Sequence, residues 1–91
     1  MFRVILHRNA KKFLDKLDKN LKGNITSKLR ELENFPDSLK ILDIKKVKGY
    51  ENTFRLRIGK YRALFRVYQE DQLIVVAKID VRGKIYKGGM Q

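Results

Sequence analysis

The chain of 91 residues contains no cysteine and no tryptophan, one proline and one histidine. Without cysteine there is neither a disulfide framework nor a thiolate metal site. A lone histidine, His7, excludes a pair of catalytic or metal-binding histidines. Acidic residues are scarce, 10 against 22 lysines and arginines, and they are scattered without the spacing of a metal or glycosidase site. No run approaches the roughly 20 apolar residues that a membrane-spanning helix needs. The opening Met-Phe-Arg-Val-Ile-Leu-His is too short and too soon charged for a secretory signal, so the expectation is a cytoplasmic protein. The length suits one small domain over residues 1–91, held by an ordinary core from a 43% apolar composition.

What is abundant is positive charge. The net charge is +12 and the pI about 10.2. Such an excess points to nucleic acid, an anionic surface or an acidic protein partner. The lysines before residue 40 fall on helical stretches and read as solvated faces. The arginines are distributed differently: Arg55, Arg57, Arg62, Arg66 and Arg82 are five of the eight, all in strand-like sequence.

Residues 54–68 alternate apolar and basic side chains, pause at Gly59-Lys60, and resume. Period-two alternation marks a strand with one buried face. Two such runs joined by two residues, the first a glycine, predict a type II′ hairpin. The register then sets Ile58 against Tyr61, Arg57 against Arg62, Leu56 against Ala63 and Arg55 against Leu64. Phe54, Leu56, Ile58, Ala63, Phe65 and Val67 share the core face; Arg55, Arg57, Arg62 and Arg66 share the other. Like charges directly across a sheet are destabilising, and an acid-free arginine face suggests a bound anion, because guanidinium groups hold phosphate bidentately.

Elsewhere, residues 3–7 predict a short strand and Asn9 an N-cap. Ala10, Phe13, Leu14 and Leu17 are spaced for a first helix. Leu21, Ile25, Leu29 and Leu32 are spaced for a second, starting near Asp18 to Asn20 or, if Gly23 interrupts it, at Asn24. Phe35-Pro36-Asp37 ends it. Residues 39–49 are a transition with Lys45, Lys46 and Lys48, read equally as a nucleic-acid contact or a solvated linker. Residues 73–81 form a strand, apolar on both faces at first and so central; Ala77, Ile79 and Val81 then continue one face, and Lys78, Asp80 and Arg82 the other. Asp80 is a candidate partner for a neighbouring cation. On its own residues Tyr86 reads as a core-edge tyrosine. The order β-α-α-β-β-β predicts an α+β fold: an N-terminal strand and antiparallel helical hairpin covering one face of an antiparallel β-meander, with the arginine face open.

Lys-Val-Lys-Gly (46–49, read from Lys46), the block from Phe54 to Phe65 and Val-Arg-Gly-Lys-Ile-Tyr (81–86) together resemble the RelE/ParE superfamily of type II toxin–antitoxin toxins. The resemblance covers essentially the whole chain and favours the RelE branch. It implies a ribosome-dependent endoribonuclease that cuts messenger RNA in the A site by attack of the 2′-hydroxyl, with no cofactor or metal. The catalytic positions it implies are Arg55, Arg57, Arg62, Arg82 and Tyr86. The RNA-binding positions are Lys46, Lys48, Lys60, Arg66 and Lys84. The implied partners are messenger RNA and the ribosome, and an acidic RelB-like antitoxin in a hetero-oligomer. Well-known members carry lysines where this chain has Arg55 and Arg57, and the histidine or glutamate that some relatives use has no counterpart at a matching position. The alternatives are a ParE-like gyrase inhibitor and a non-catalytic nucleic-acid-binding module.

Overall fold

A computed structural model describes residues 1–81. Arg82, Lys84 and Tyr86 lie outside the described residues. Strand β1 (Arg3–Leu6) is followed by helices α1 (Arg8–Asp15) and α2 (Lys19–Arg30), two short 3₁₀ turns (Glu31–Asn34 and Asp37–Lys40), and strands β2 (Ile44–Lys46), β3 (Thr53–Ile58), β4 (Tyr61–Tyr68) and β5 (Leu73–Val81). The sheet order is β1-β5-β4-β3-β2. Strands β2 to β5 form the expected antiparallel meander, and β1 joins its far edge in parallel with β5, Val4 beside Ile74 and Leu6 beside Val76. The sheet is therefore mixed, and β5 lies inside it. That explains why Ile74 and Val76 are fully buried and Leu73 and Val75 half-buried.

Helix α1 begins earlier than Asn9. His7 is the cap, its Nδ1 accepting the Asn9 N–H at 3.1 Å. The imidazole nitrogen satisfies one of the free amides of the first turn, the task for which Asn9 is also chemically suited. Asp18 caps α2, accepting the Leu21 N–H at 2.9 Å, and Gly23 sits inside the helix with open space where a Cβ would project. At its end α2 tightens into the 3₁₀ turn that leads to Phe35-Pro36.

Both helices bury their apolar stripes against one face of the sheet. Ala10 and Leu14 from α1 and Ile25 and Leu29 from α2 join Leu56, Ala63, Phe65, Val67, Ile74, Val76 and Ile79 in one cluster. Phe35 sits at its aromatic centre, edge-on to Phe2, Phe54 and Phe65 at centroid distances of 5.8, 5.4 and 6.2 Å. Phe54 and Phe65, paired across the hairpin, stack at 5.5 Å. Such pairs add to the burial term through the ring quadrupoles.

The helices are also tied at the surface. Lys22 Nζ donates to Asp15 Oδ1 at 2.8 Å, and this hydrogen bond, helped by the charges of Lys22 and Lys11, holds the Asp15 carboxyl below its ordinary 3.8. In Lys22→Ala the Asp15 titration, followed by NMR, is expected to move back up towards that value. Leu32 is fully buried. Leu32→Ala is expected to cost about 2–5 kcal/mol in urea unfolding, the lost transfer energy plus a cavity.

Candidate anion-binding face

The site is built by register. Gly59 has φ of +58° while Lys60 keeps φ negative, as a type II′ turn requires. The expected pairs Ile58–Tyr61, Arg57–Arg62, Leu56–Ala63 and Arg55–Leu64 are all present. Strand β2 pairs on the other side of β3, Ile44 with Leu56 and Lys45 with Arg55. The Arg57 N–H donates to the Asp43 carbonyl, and the Val47 N–H to the Thr53 carbonyl, each at 2.9 Å, so the same register runs past both ends of β2. On the fourth strand Asp80 pairs with Arg62 and Lys78 with Leu64.

Two rows of side chains therefore cross the face opposite the helices. Nearest the turn the row reads Asp43, Arg57, Arg62, Asp80. The next reads Lys45, Arg55, Leu64, Lys78. The like-charged pair Arg57–Arg62 thus sits between two carboxylates. The two guanidinium groups take different acceptors. Arg62 folds against the turn, its Nη1 donating to the Gly59 carbonyl at 2.9 Å and the Tyr61 carbonyl at 3.0 Å. Arg57 lies 3.8 Å from Asp43 and stays 57% exposed. Pairs this exposed contribute little to stability, so Arg57 remains available to an anion from solvent.

This face departs from the uniformly open one expected. Arg62 is 7% exposed, because the turn carbonyls hold it down. Leu64 and Val47 form a small second core on this same side, and Thr53 is buried beside them, its hydroxyl donating to the Glu51 carbonyl. Arg55 is half-buried; its Nε is out of solvent and meets no acceptor among the described residues. A buried charged donor without an acceptor is costly in isolation, and an anion is the ligand that satisfies it. In β5 a bulge opposite Leu64/Phe65 leaves Ala77 without a cross-strand partner, so Val76, and not Ala77, continues the core side below Ile79. The bulge lets one strand carry Lys78 and Asp80 on the cationic face and still present Val76 and Ile74 to the core.

Of the three lysines before the hairpin, only Lys45 is in register with an arginine. Lys46 pairs with Phe54 and belongs to the helix side of the sheet edge. Lys48 lies in the loop from Lys46 to Glu51, around an open depression of about 500 Å³. Lys60 stands on the turn, 5.5 Å from the Tyr61 ring centre, and the exposed Arg66 lies 5.8 Å from that of Tyr68. Asp80 Oδ1 accepts the Val81 N–H at 2.7 Å. Sequence reasoning left Lys45 undecided, since nothing before the hairpin sets the parity of so short a strand.

Comparison with known proteins decides the family. The family model described as the ParE toxin of the type II toxin–antitoxin system parDE matches residues 4–86. Toxin RelE3 of Methanocaldococcus jannaschii is 35% identical over 83 residues, 85% of this chain and 90% of that protein. The chain belongs to the RelE/ParE superfamily of type II toxin–antitoxin toxins. Its fold agrees. The archaeal RelE–RelB complex from Pyrococcus horikoshii OT3 matches with a TM-score of 0.78 at 28% identity, covering 91% of this chain and 97% of that one. The toxin–antitoxin complex RelBE2 from Mycobacterium tuberculosis matches with a TM-score of 0.71 at 26% identity, covering 89% and 98%. In this RelE/ParE toxin the exposed Arg57 and the buried Arg62 have separable roles. Arg62→Met is expected to lower unfolding stability by about 1–3 kcal/mol, because two turn carbonyls lose their donor. Arg57→Met, at the exposed arginine, is expected to leave it within about 0.5 kcal/mol. Urea titration of both variants checks the contrast.

Proposed function

We propose that this toxin is a ribosome-dependent endoribonuclease that cleaves messenger RNA in the A site. The observation that supports it most directly is the cationic double row, in which Arg55 and Arg57 stand side by side on β3 with Arg62 beneath the turn. Attack of a 2′-hydroxyl on the neighbouring phosphorus places extra negative charge on the phosphoryl oxygens, and fixed guanidinium groups lower the energy of that charge without having to reorganise. In this reading Arg57 and Arg55 grip the scissile phosphate. Arg62, anchored to the turn, supplies a stationary positive field and aligns the hairpin. Tyr86 acts as base, its phenolate favoured by cationic neighbours, and Arg82 stabilises the leaving 5′-oxygen; both belong to the segment beyond residue 81. Lys48, Lys60, Arg66 and Lys84 contact RNA backbone around the cut, whereas Lys46, expected to join them, lies on the helix side of the edge strand. The ribosome holds the messenger in the in-line geometry, a contribution of orientation that this small open face does not itself provide. The work is then cytoplasmic, in one domain and without a cofactor.

The partner in the resting cell is an acidic antitoxin that wraps the cationic surface. Two of the matched structures are complexes of a RelE with a RelB, and a net charge of +12 calls for a counter-charged chain. A disordered segment that folds on contact suits so exposed a surface.

The test is primer-extension mapping of cleavage on programmed ribosomes. Wild-type protein is expected to cut within the A-site codon. Arg57→Ala and Tyr86→Phe are each expected to slow the cut by about 10²-fold or more. Unchanged cutting in both variants overturns the assignment. The second reading, a gyrase inhibitor, draws on the ParE name of the matching family model. A DNA-supercoiling assay separates the two: inhibition of gyrase together with intact messenger on the ribosome supports it.

A further inference from the structure

The proposed reaction lacks one chemical part on the described face. The leaving 5′-oxygen needs a proton, and arginine does not give one up at physiological pH. A lysine ammonium can. Among the described residues of the two cationic rows, the lysines are Lys45 and Lys78. Lys78 stands on β5, separated from Arg55 by the fully buried Leu64, and has an interaction of its own. Lys45 stands directly across from Arg55 on the edge strand β2, a neighbour at which Cβ atoms approach to about 5 Å. It is exposed and makes no ion pair among the described residues. The groups that share its surroundings are Arg55 across the strand pair and Asp43 and Val47 on either side along its own. Asp43 is turned towards Arg57, so no carboxylate among the described residues pairs with the Lys45 ammonium.

Resting on the reading of this protein as a messenger-RNA nuclease, we infer that Lys45 is its general acid: Arg55 and Arg57 hold the scissile phosphate, and the Lys45 ammonium beside them protonates the departing 5′-oxygen. The 2′-oxygen forms its bond to phosphorus as the bond from phosphorus to the 5′-oxygen breaks. The electron pair of the broken bond stays on the 5′-oxygen, which takes a proton from Lys45 Nζ. The 2′-hydroxyl proton passes to the base of the reaction, and the lysine amine regains a proton from water. The products are a 2′,3′-cyclic phosphate and a 5′-hydroxyl. The division of labour suits the sheet: two planar forks that cannot titrate fix the phosphate, and one flexible stem on the solvent edge moves the proton.

Single-turnover cleavage on programmed ribosomes tests this with two messengers, one ordinary and one carrying sulfur in place of the bridging 5′-oxygen at the scissile position. A thiolate departs without a proton. Lys45→Arg keeps the charge and loses the transferable proton. On the ordinary messenger it is expected to be slower than wild type by about 10²-fold or more; on the sulfur messenger it is expected to return to within a few-fold of wild type. Tyr86→Phe is expected to be slow on both. A Lys45→Arg variant that cuts the ordinary messenger at the wild-type rate overturns the inference. Equal losses on the two messengers overturn it as well, since they assign Lys45 to binding alone. Failure of the wild-type protein to cut any messenger overturns the nuclease reading itself, before any variant is compared.

Discussion

A hairpin closed by two residues has no freedom of register, and the Gly59–Lys60 turn passes that constraint to the whole sheet. With φ of +58° at Gly59, β3 and β4 can pair in one way only. That pairing assigns Phe54, Leu56 and Ile58 to the core and Arg55 and Arg57 to the opposite side. Because β2 and β5 hydrogen-bond to these two strands, their charged residues fall into rows with the arginines. A slip of a single residue would invert every assignment and drive guanidinium groups against the helices. The core and the cationic face are thus two readings of one geometric decision.

The face is also a study in how like charges coexist on neighbouring strands. Register makes Arg57 and Arg62 adjacent; chemistry then separates them. Backbone carbonyls of the turn neutralise part of the Arg62 charge and keep it in place, while Arg57 leans to the solvent side near Asp43. Carboxylates at both ends of the row moderate the repulsion in the free protein. Arg55 takes neither solution, and its Nε is left without an acceptor among the described residues. The arrangement gives a surface whose positive groups differ in mobility, from the anchored Arg62 through the half-buried Arg55 to the exposed Arg57, Lys45 and Arg66.

Much of this was legible in the amino-acid sequence, and the reasons are specific. The hairpin was legible because a two-residue turn with glycine first couples alternation on both sides. The helices were legible because Leu21, Ile25, Leu29 and Leu32 keep helical spacing through Gly23. Two things were hidden. The parallel pairing of β1 with β5 has no local signal, since the partners lie at opposite ends of the chain. The parity of Lys45 and Lys46 depends on a three-residue strand followed by a six-residue loop, where no turn rule carries register forward. The cap is His7 where the sequence suggests Asn9, because either side chain can accept an amide hydrogen of the first turn. Whether Leu64 is solvated was equally beyond reach, for its cover, Val47, comes from the loop that follows that edge strand.

The bulge at Ala77 bears on how such a surface diversifies. It divides β5 into two stretches: Leu73 to Val76 are held between β1 and β4, whereas Lys78 to Val81 pair with β4 alone among the described residues. A substitution before the break is felt by two neighbouring strands, and one after it by β4 alone. The polar end of the strand, and with it the chemistry of the face, is therefore the part that accepts exchange most readily, while the interior end is packed on both edges.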